Sequence, residues 1–94
     1  MPIFAVQYTY SEATAAARDG HRPRHRAWLS ELVDRGVVLA TGPYADGSGA
    51  LILFRAENDA AMTELLTADP FAEHDLIERK QFTEWTPVMG AFVS

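Results

Sequence analysis

The sequence has no cysteine, which removes disulfides, thiolate metal sites and a thiol nucleophile together. It has no apolar run near the ~20 residues that a membrane-spanning helix needs. Its opening, "MPIFAVQYTY", lacks a basic segment followed by an apolar stretch of roughly 7–15 residues, so it does not read as a secretory signal. A cytoplasmic protein with no membrane partner is expected. Positive charge is also scarce: eight Lys plus Arg stand against thirteen Asp plus Glu, a net charge of −5. Nucleic-acid affinity comes mainly from neutralising phosphates, so no nucleic-acid partner is expected. Repeats, linkers and low-complexity tracts are absent, and residues 1–94 read as one small domain. "GPYADGSG" has neither the P-loop lysine nor the G-x-G-x-x-G spacing, so it is not a nucleotide loop.

What is present is apolar enough to fold. Hydrophobic residues make up 48% of the chain, too many for a disordered one. Ile3 to Tyr10 alternates and is rich in β-branched and aromatic residues, the signature of a strand. A polar, alanine-containing stretch runs to Gly20. Pro23 suits the first position of a helix, where its missing N–H does no harm. Trp28, Leu29, Leu32 and Val33 then recur at helical spacing, and Gly36 supplies a stop. Val37 to Thr41 reads as a second strand closed by Gly42-Pro43, and Ala50 to Phe54 as a third after the "ADGSG" turn. Asp59 to Ala68 is a second helix, ended by Pro70. Glu78 to Thr86 is a less apolar fourth strand, expected at an edge. The order β-α-β-β-α-β predicts an α+β, ferredoxin-like sandwich: a four-stranded antiparallel sheet with two helices on one face.

That architecture leaves a sheet face uncovered. Phe4, Val6 and Tyr8 point one way from the first strand, Ile3 and Ala5 the other; Leu51 and Leu53 oppose Ile52 and Phe54. Large open apolar faces are rare on monomers, so a homodimer packing sheet against sheet is expected, with the tail "PVMGAFVS" contributing. Coverage by strand ends and the tail alone is the alternative.

The cations cluster in "HRPRHRAWL", residues 21–29. His25 lies four residues before Leu29 and seven before Leu32, and so shares their inward stripe. Arg22, Arg24 and Arg26 surround it, with Arg18 nearby. At a helix N-terminus each exposed cation is unfavourable by roughly 0.3–1 kcal/mol, which suggests an anion to offset them. The same field would keep His25 neutral and able to accept a proton. Asp69, in "ADPF", is a natural N-cap for the turn "PFAEH", and both helices of this fold lie on one sheet face, so its carboxylate could approach an imidazole on the other helix. His21, His25 and His74 with nearby acids form a weak metal set: His21 and His25 straddle the expected helix start, and His74 sits in another turn. No metal and no cofactor are expected. Tyr8, Tyr44 and Trp85 could line a pocket, but at strand positions they read as core or interface.

Over nearly its whole length the chain resembles the YCII-related family of the dimeric α+β barrel superfamily. The resemblance is carried by "RPRHRAWLSELVDRGVVLATGP", like R-x-x-H-L-x-x-L…G-x-[LV]-x-x-x-GP, then "GSGALILFRAENDAAMTELLTADPF" and "ERKQFTEW". It implies a ferredoxin-like subunit dimerising through its sheet, and an active site of a His and an Asp, here His25 and Asp69. Arg22 matches the motif's arginine, with Arg18 an alternative register, and Ser48 resembles a small polar position of some members. The usual Leu after the motif His is Arg26 here, which alters the polarity expected of the pocket.

Superfamily relatives include lactone isomerases, dehalogenating lyases and monooxygenases of small ring compounds. The expected activity is a lyase- or isomerase-type proton transfer on a small anionic or ring-containing molecule. His25 would act as general base, Asp69 would fix its tautomer, and Arg22 would hold an anionic oxygen. A non-catalytic ligand-binding or accessory domain with a structural His–Asp tie, and a cofactor-free monooxygenase, are the alternatives.

Overall fold

The computed structural model describes residues 1–93. Four strands, β1 (Ile3–Thr9), β2 (Val38–Pro43), β3 (Gly49–Arg55) and β4 (Arg79–Trp85), form one sheet in the order β2-β3-β1-β4, with every neighbour antiparallel. Three helices accompany them: α1 (Ala15–Asp34), α2 (Asp59–Thr67) and the single turn α3 (Pro70–Glu73). This is the ferredoxin-like sandwich, with "PFAEH" contributing a short helix in place of a plain turn. No helix among the described residues is long and apolar enough to cross a membrane.

The core follows from alternation along the strands. Phe4, Val6 and Tyr8 of β1 lie beside Phe54, Ile52 and Ala50 of β3 and point toward the helices, fully buried or nearly so. Leu29 and Leu32 of α1, with Met62 and Leu66 of α2, close over them. In β4 only Phe82 joins this side, edge-on to Phe4 at 5.8 Å, as an edge strand of mostly polar residues would.

One expectation fails. The first helix begins eight residues before Pro23, so Pro23 lies inside it rather than at its first position. Ala15 to Ala17 have the highest intrinsic helix propensity, and Ser11 starts the chain turning by accepting the Ala13 N–H, at 3.2 Å, ahead of a 3₁₀ turn over Glu12–Thr14. A proline in a helix interior loses a hydrogen bond to the carbonyl four residues back. Pro23 is on the solvent side, where water can serve that carbonyl. The consequence is electrostatic. Arg22, Arg24, His25 and Arg26 lie in mid-helix, beyond the first turn where the dipole acts. The helix end therefore does not account for the arginines and does not hold His25 neutral.

The far end of α1 closes as the sequence indicates. Gly36 adopts φ +76°, donates to the Val33 carbonyl at 3.0 Å, and is followed by Val37 donating to Leu32 at 2.8 Å. That pair of bonds is a Schellman stop, and its left-handed residue favours glycine. β2 contains a bulge between Val38 and Ala40. The extra residue shifts the alternation, so Thr41 and Pro43, facing Ile52 and Ala50, point to the helix side. Pro43 lies on an edge strand, where its missing N–H breaks no ladder bond.

Candidate active site

Asp69 is the centre of the site because of local chain chemistry. A residue before proline is driven to extended backbone, and Asp69 has φ −66° and ψ 125° ahead of Pro70. From there its Oδ1 accepts the Phe71 N–H at 2.9 Å and caps α3. This places a carboxylate with no solvent exposure under α1.

Two more donors reach it. The Nδ1 of His25, midway along α1, lies 2.7 Å from Oδ1, and the Tyr8 hydroxyl of β1 donates to Oδ2 at 2.8 Å. A buried carboxylate is tolerated only when its oxygens are satisfied, and here both are. An ionised carboxylate can only accept, so His25 donates from Nδ1 and the proton sits there. Tyr8 keeps its own proton: burial above all, then the charge and hydrogen bond of Asp69, raise its ionisation far above the ordinary tyrosine range. The His25 ring lies flat on Phe71, centroids 3.9 Å apart and planes 3° apart, which fixes its orientation.

The other face of this arrangement is open. A hollow of about 590 Å³ lies between α1 and the β2–β3 edge, within the range of small-molecule sites. His25 forms part of its wall, with Leu29 and Val33 of α1, Phe71, and Thr41 and Pro43 of the bulged strand. The Nε2 of His25 binds no protein group among the described residues and is not sealed from the hollow. Arg22 and Arg26 also line it. Arg22 pairs with the exposed Asp19, a surface contact of the kind worth about 0–1 kcal/mol, so its guanidinium is readily shared with a ligand.

The other candidate residues fall elsewhere. Ser48 is exposed in the turn before β3 and is not among the lining residues; its N–H donates to Asp46 at 2.9 Å and its carbonyl accepts the Tyr10 N–H at 2.8 Å. Arg18 is buried over Tyr10 and does not line the hollow. His21 stacks on His74 at 4.0 Å, away from the lining. Tyr44 and Trp85 are partly exposed and stand outside it, whereas Tyr8 is core and a hydrogen-bond donor at once. Sequence reasoning missed the Tyr8 hydroxyl, Tyr10 and the Phe71 ring. A tyrosine on the inward face of a buried strand was the available signal, since a buried hydroxyl requires a partner.

A family model for the YCII-related domain matches residues 3–86. Among solved structures, the chain is similar to 5-chloro-2-hydroxyhydroquinone dehydrochlorinase from Burkholderia phenoliruptrix AC1100, in complex with 2,5-dihydroxybenzoquinone. The TM-score is 0.79 at 18% identity, over 89% of this chain and 93% of that one. At that identity the likeness speaks for the fold. No curated protein matches the sequence. With the whole of its four-stranded sheet and its α-helices inside the matched span, the chain belongs to the YCII-related family.

Proposed function

We propose that this chain is a small-molecule enzyme in which His25 removes a proton from a ring compound, leading to elimination or isomerisation. The observation that supports this is the asymmetry of the imidazole. One nitrogen is held by a buried carboxylate, and the other, without a partner among the described residues, belongs to the wall of a partly apolar hollow. With the proton on Nδ1, the lone pair of Nε2 is available to a substrate, and Asp69 stabilises the imidazolium that forms. Leu29, Val33 and Phe71 suit a flat apolar ring, while Arg22 and Arg26 suit a phenolate, enolate or carboxylate oxygen. A hydroxylated, halogenated ring of the kind named for the structural neighbour fits this description. The molecule acts as a homodimer through its open sheet face and works without a cofactor, in the cytoplasm.

The test is a panel of chlorinated hydroquinones and unsaturated lactones, followed by chloride release and by exchange of carbon-bound protons for deuterium. The wild type is expected to process at least one compound. His25→Gln, whose amide can still donate to Asp69, is expected to lose roughly 10²–10⁴-fold in rate. Asp69→Asn should fall as well, because a neutral amide no longer stabilises the imidazolium that forms when His25 takes the proton. Binding without turnover or exchange across the panel would overturn the catalytic reading in favour of a ligand-binding domain.

A further inference from the structure

Tyr10, just beyond the end of β1, is held more firmly than its position requires. Its N–H donates to the Ser48 carbonyl at 2.8 Å. The Arg18 guanidinium lies over its ring, 4.3 Å from the centroid. Its ring meets Phe71 edge-on at 6.0 Å and 85°, and Phe71 is the ring that lies flat on His25. Yet Tyr10 lines the hollow, and its hydroxyl has no partner among the described residues and is not sealed off. A fixed ring with a free hydroxyl is a preorganised polar group beside the apolar part of the wall that Leu29, Val33 and Phe71 form.

Arg18 adds a second observation. It is 5% exposed, and no carboxylate lies within ion-pair distance of it among the described residues. Its Nη1 donates to the Ser11 carbonyl at 2.9 Å and to the Thr14 hydroxyl, while its Nε is buried with no partner. A buried guanidinium without an acid is destabilising, and the ring face of Tyr10 offsets only part of that. Stability alone gives little reason for an arginine here; holding an aromatic ring at the edge of the hollow does.

We infer that Tyr10 is a specificity-determining substrate-binding residue, its hydroxyl bonding a second oxygen of the ring whose first is held by Arg22 and Arg26, with Arg18 positioning Tyr10. The substrate class is then a ring carrying at least two oxygen functions, such as a hydroquinone or a hydroxyquinone. This rests on the reading of His25 given above. Burial, and next the charge of Asp69, push the Tyr10 phenol up to about 12 against the pull of Arg18 and Arg22, so it remains a donor at neutral pH.

The test is an NMR titration of two probes, 2,5-dihydroxybenzoquinone and phenol, into the wild type, Tyr10→Phe, Arg18→Met, Arg18→Lys and His25→Gln. Tyr10→Phe keeps the ring and its packing, so its fold should persist. It is expected to weaken the two-oxygen probe about 3- to 10-fold, the loss of one hydrogen bond, and to leave phenol within about twofold. Arg18→Met should show the same selective loss, and Arg18→Lys should recover part of it. Equal weakening of both probes by Tyr10→Phe, or no weakening of either, would overturn the inference; the reading of His25 as base is judged apart from it, by turnover of the wild type against His25→Gln. Equal weakening by Arg18→Met would overturn the positioning role. A wild type that binds neither probe overturns the substrate class inferred here, and the reading of His25 then stands or falls by the turnover panel alone.

Discussion

Asp69 holds together three elements through two oxygens: α1 by His25, β1 by Tyr8, and the start of α3 by its own cap. Each bond to a charged acceptor of this kind is worth about 1.5–3 kcal/mol net, and removing one leaves a buried oxygen short of a donor. Tyr8→Phe should therefore lower stability at neutral pH by about that amount. It should also change the alkaline limit. The unfolded chain ionises its tyrosines near the ordinary 10.0, while folded Tyr8 keeps its proton well above that. Above pH 10 the unfolded state has lost protons that the folded state retains, so stability falls as pH rises; below pH 10 the contribution is complete. Tyr10 adds a smaller share of the fall, up to about pH 12. Urea midpoints between about pH 9 and 11.5 should drop steeply for the wild type and less steeply for Tyr8→Phe. Equal slopes would show that the Tyr8 hydroxyl is not held in the way described. The carboxylate's local role as a cap was legible in "ADPF". Of its partners, 44 and 61 residues away, His25 was named through the family resemblance and Tyr8 was not, because nothing in a linear pattern fixes which buried donor meets which acceptor.

At the scale of elements, α1 is the element that sequence and structure describe differently. Proline at 23 reads as a boundary because its ring is poorly tolerated in a helix interior, by about 3 kcal/mol relative to alanine. The helix continues through it because both halves have something to bury: Arg18 before it, His25, Leu29 and Leu32 after it. Pro23 itself faces solvent and packs nothing large. Pro23→Ala should accordingly stabilise the protein, by about 2 kcal/mol once the proline's restriction of the unfolded chain, about 0.4–1 kcal/mol, is deducted. Thermal or urea unfolding reads this directly, and unchanged stability would mean that the interior proline is strain-free. The stop at Gly36 was legible for the opposite reason: a left-handed residue after a helix is a local requirement, met by one residue type.

At the scale of the molecule, the remaining question is the second sheet face. Ile3 and Leu53 point to it yet are buried, and Phe92 of the C-terminal segment meets Trp85 edge-on at 6.5 Å, so the chain covers part of this face itself. Leu51 at 36% exposure, Trp85 at 41%, and Val88 and Met89 at 76% and 87% remain for a partner. A second copy presenting the same face is the occupant that symmetry favours. Sedimentation should give about twice the 10.4 kDa chain mass, and Leu51→Glu should shift it to one chain by burying a charge in the contact. A wild type that sediments as one chain at all concentrations would show that the tail suffices.

The sequence alone determined the four strands, the two longer helices and their order, because strand alternation, helical spacing and turn chemistry are local and repeat along the chain. It also marked His25 and Asp69 as residues of interest. Only the tertiary structure decided that they meet, that Tyr8 joins them, and that the bulge in β2 turns Thr41 and Pro43 into the wall opposite. It also decided that Arg22 and Arg26 line a hollow and do not stand at a helix end. These depend on how one element packs against another, where burial of a carboxylate or a ring is settled by neighbours far away in the chain.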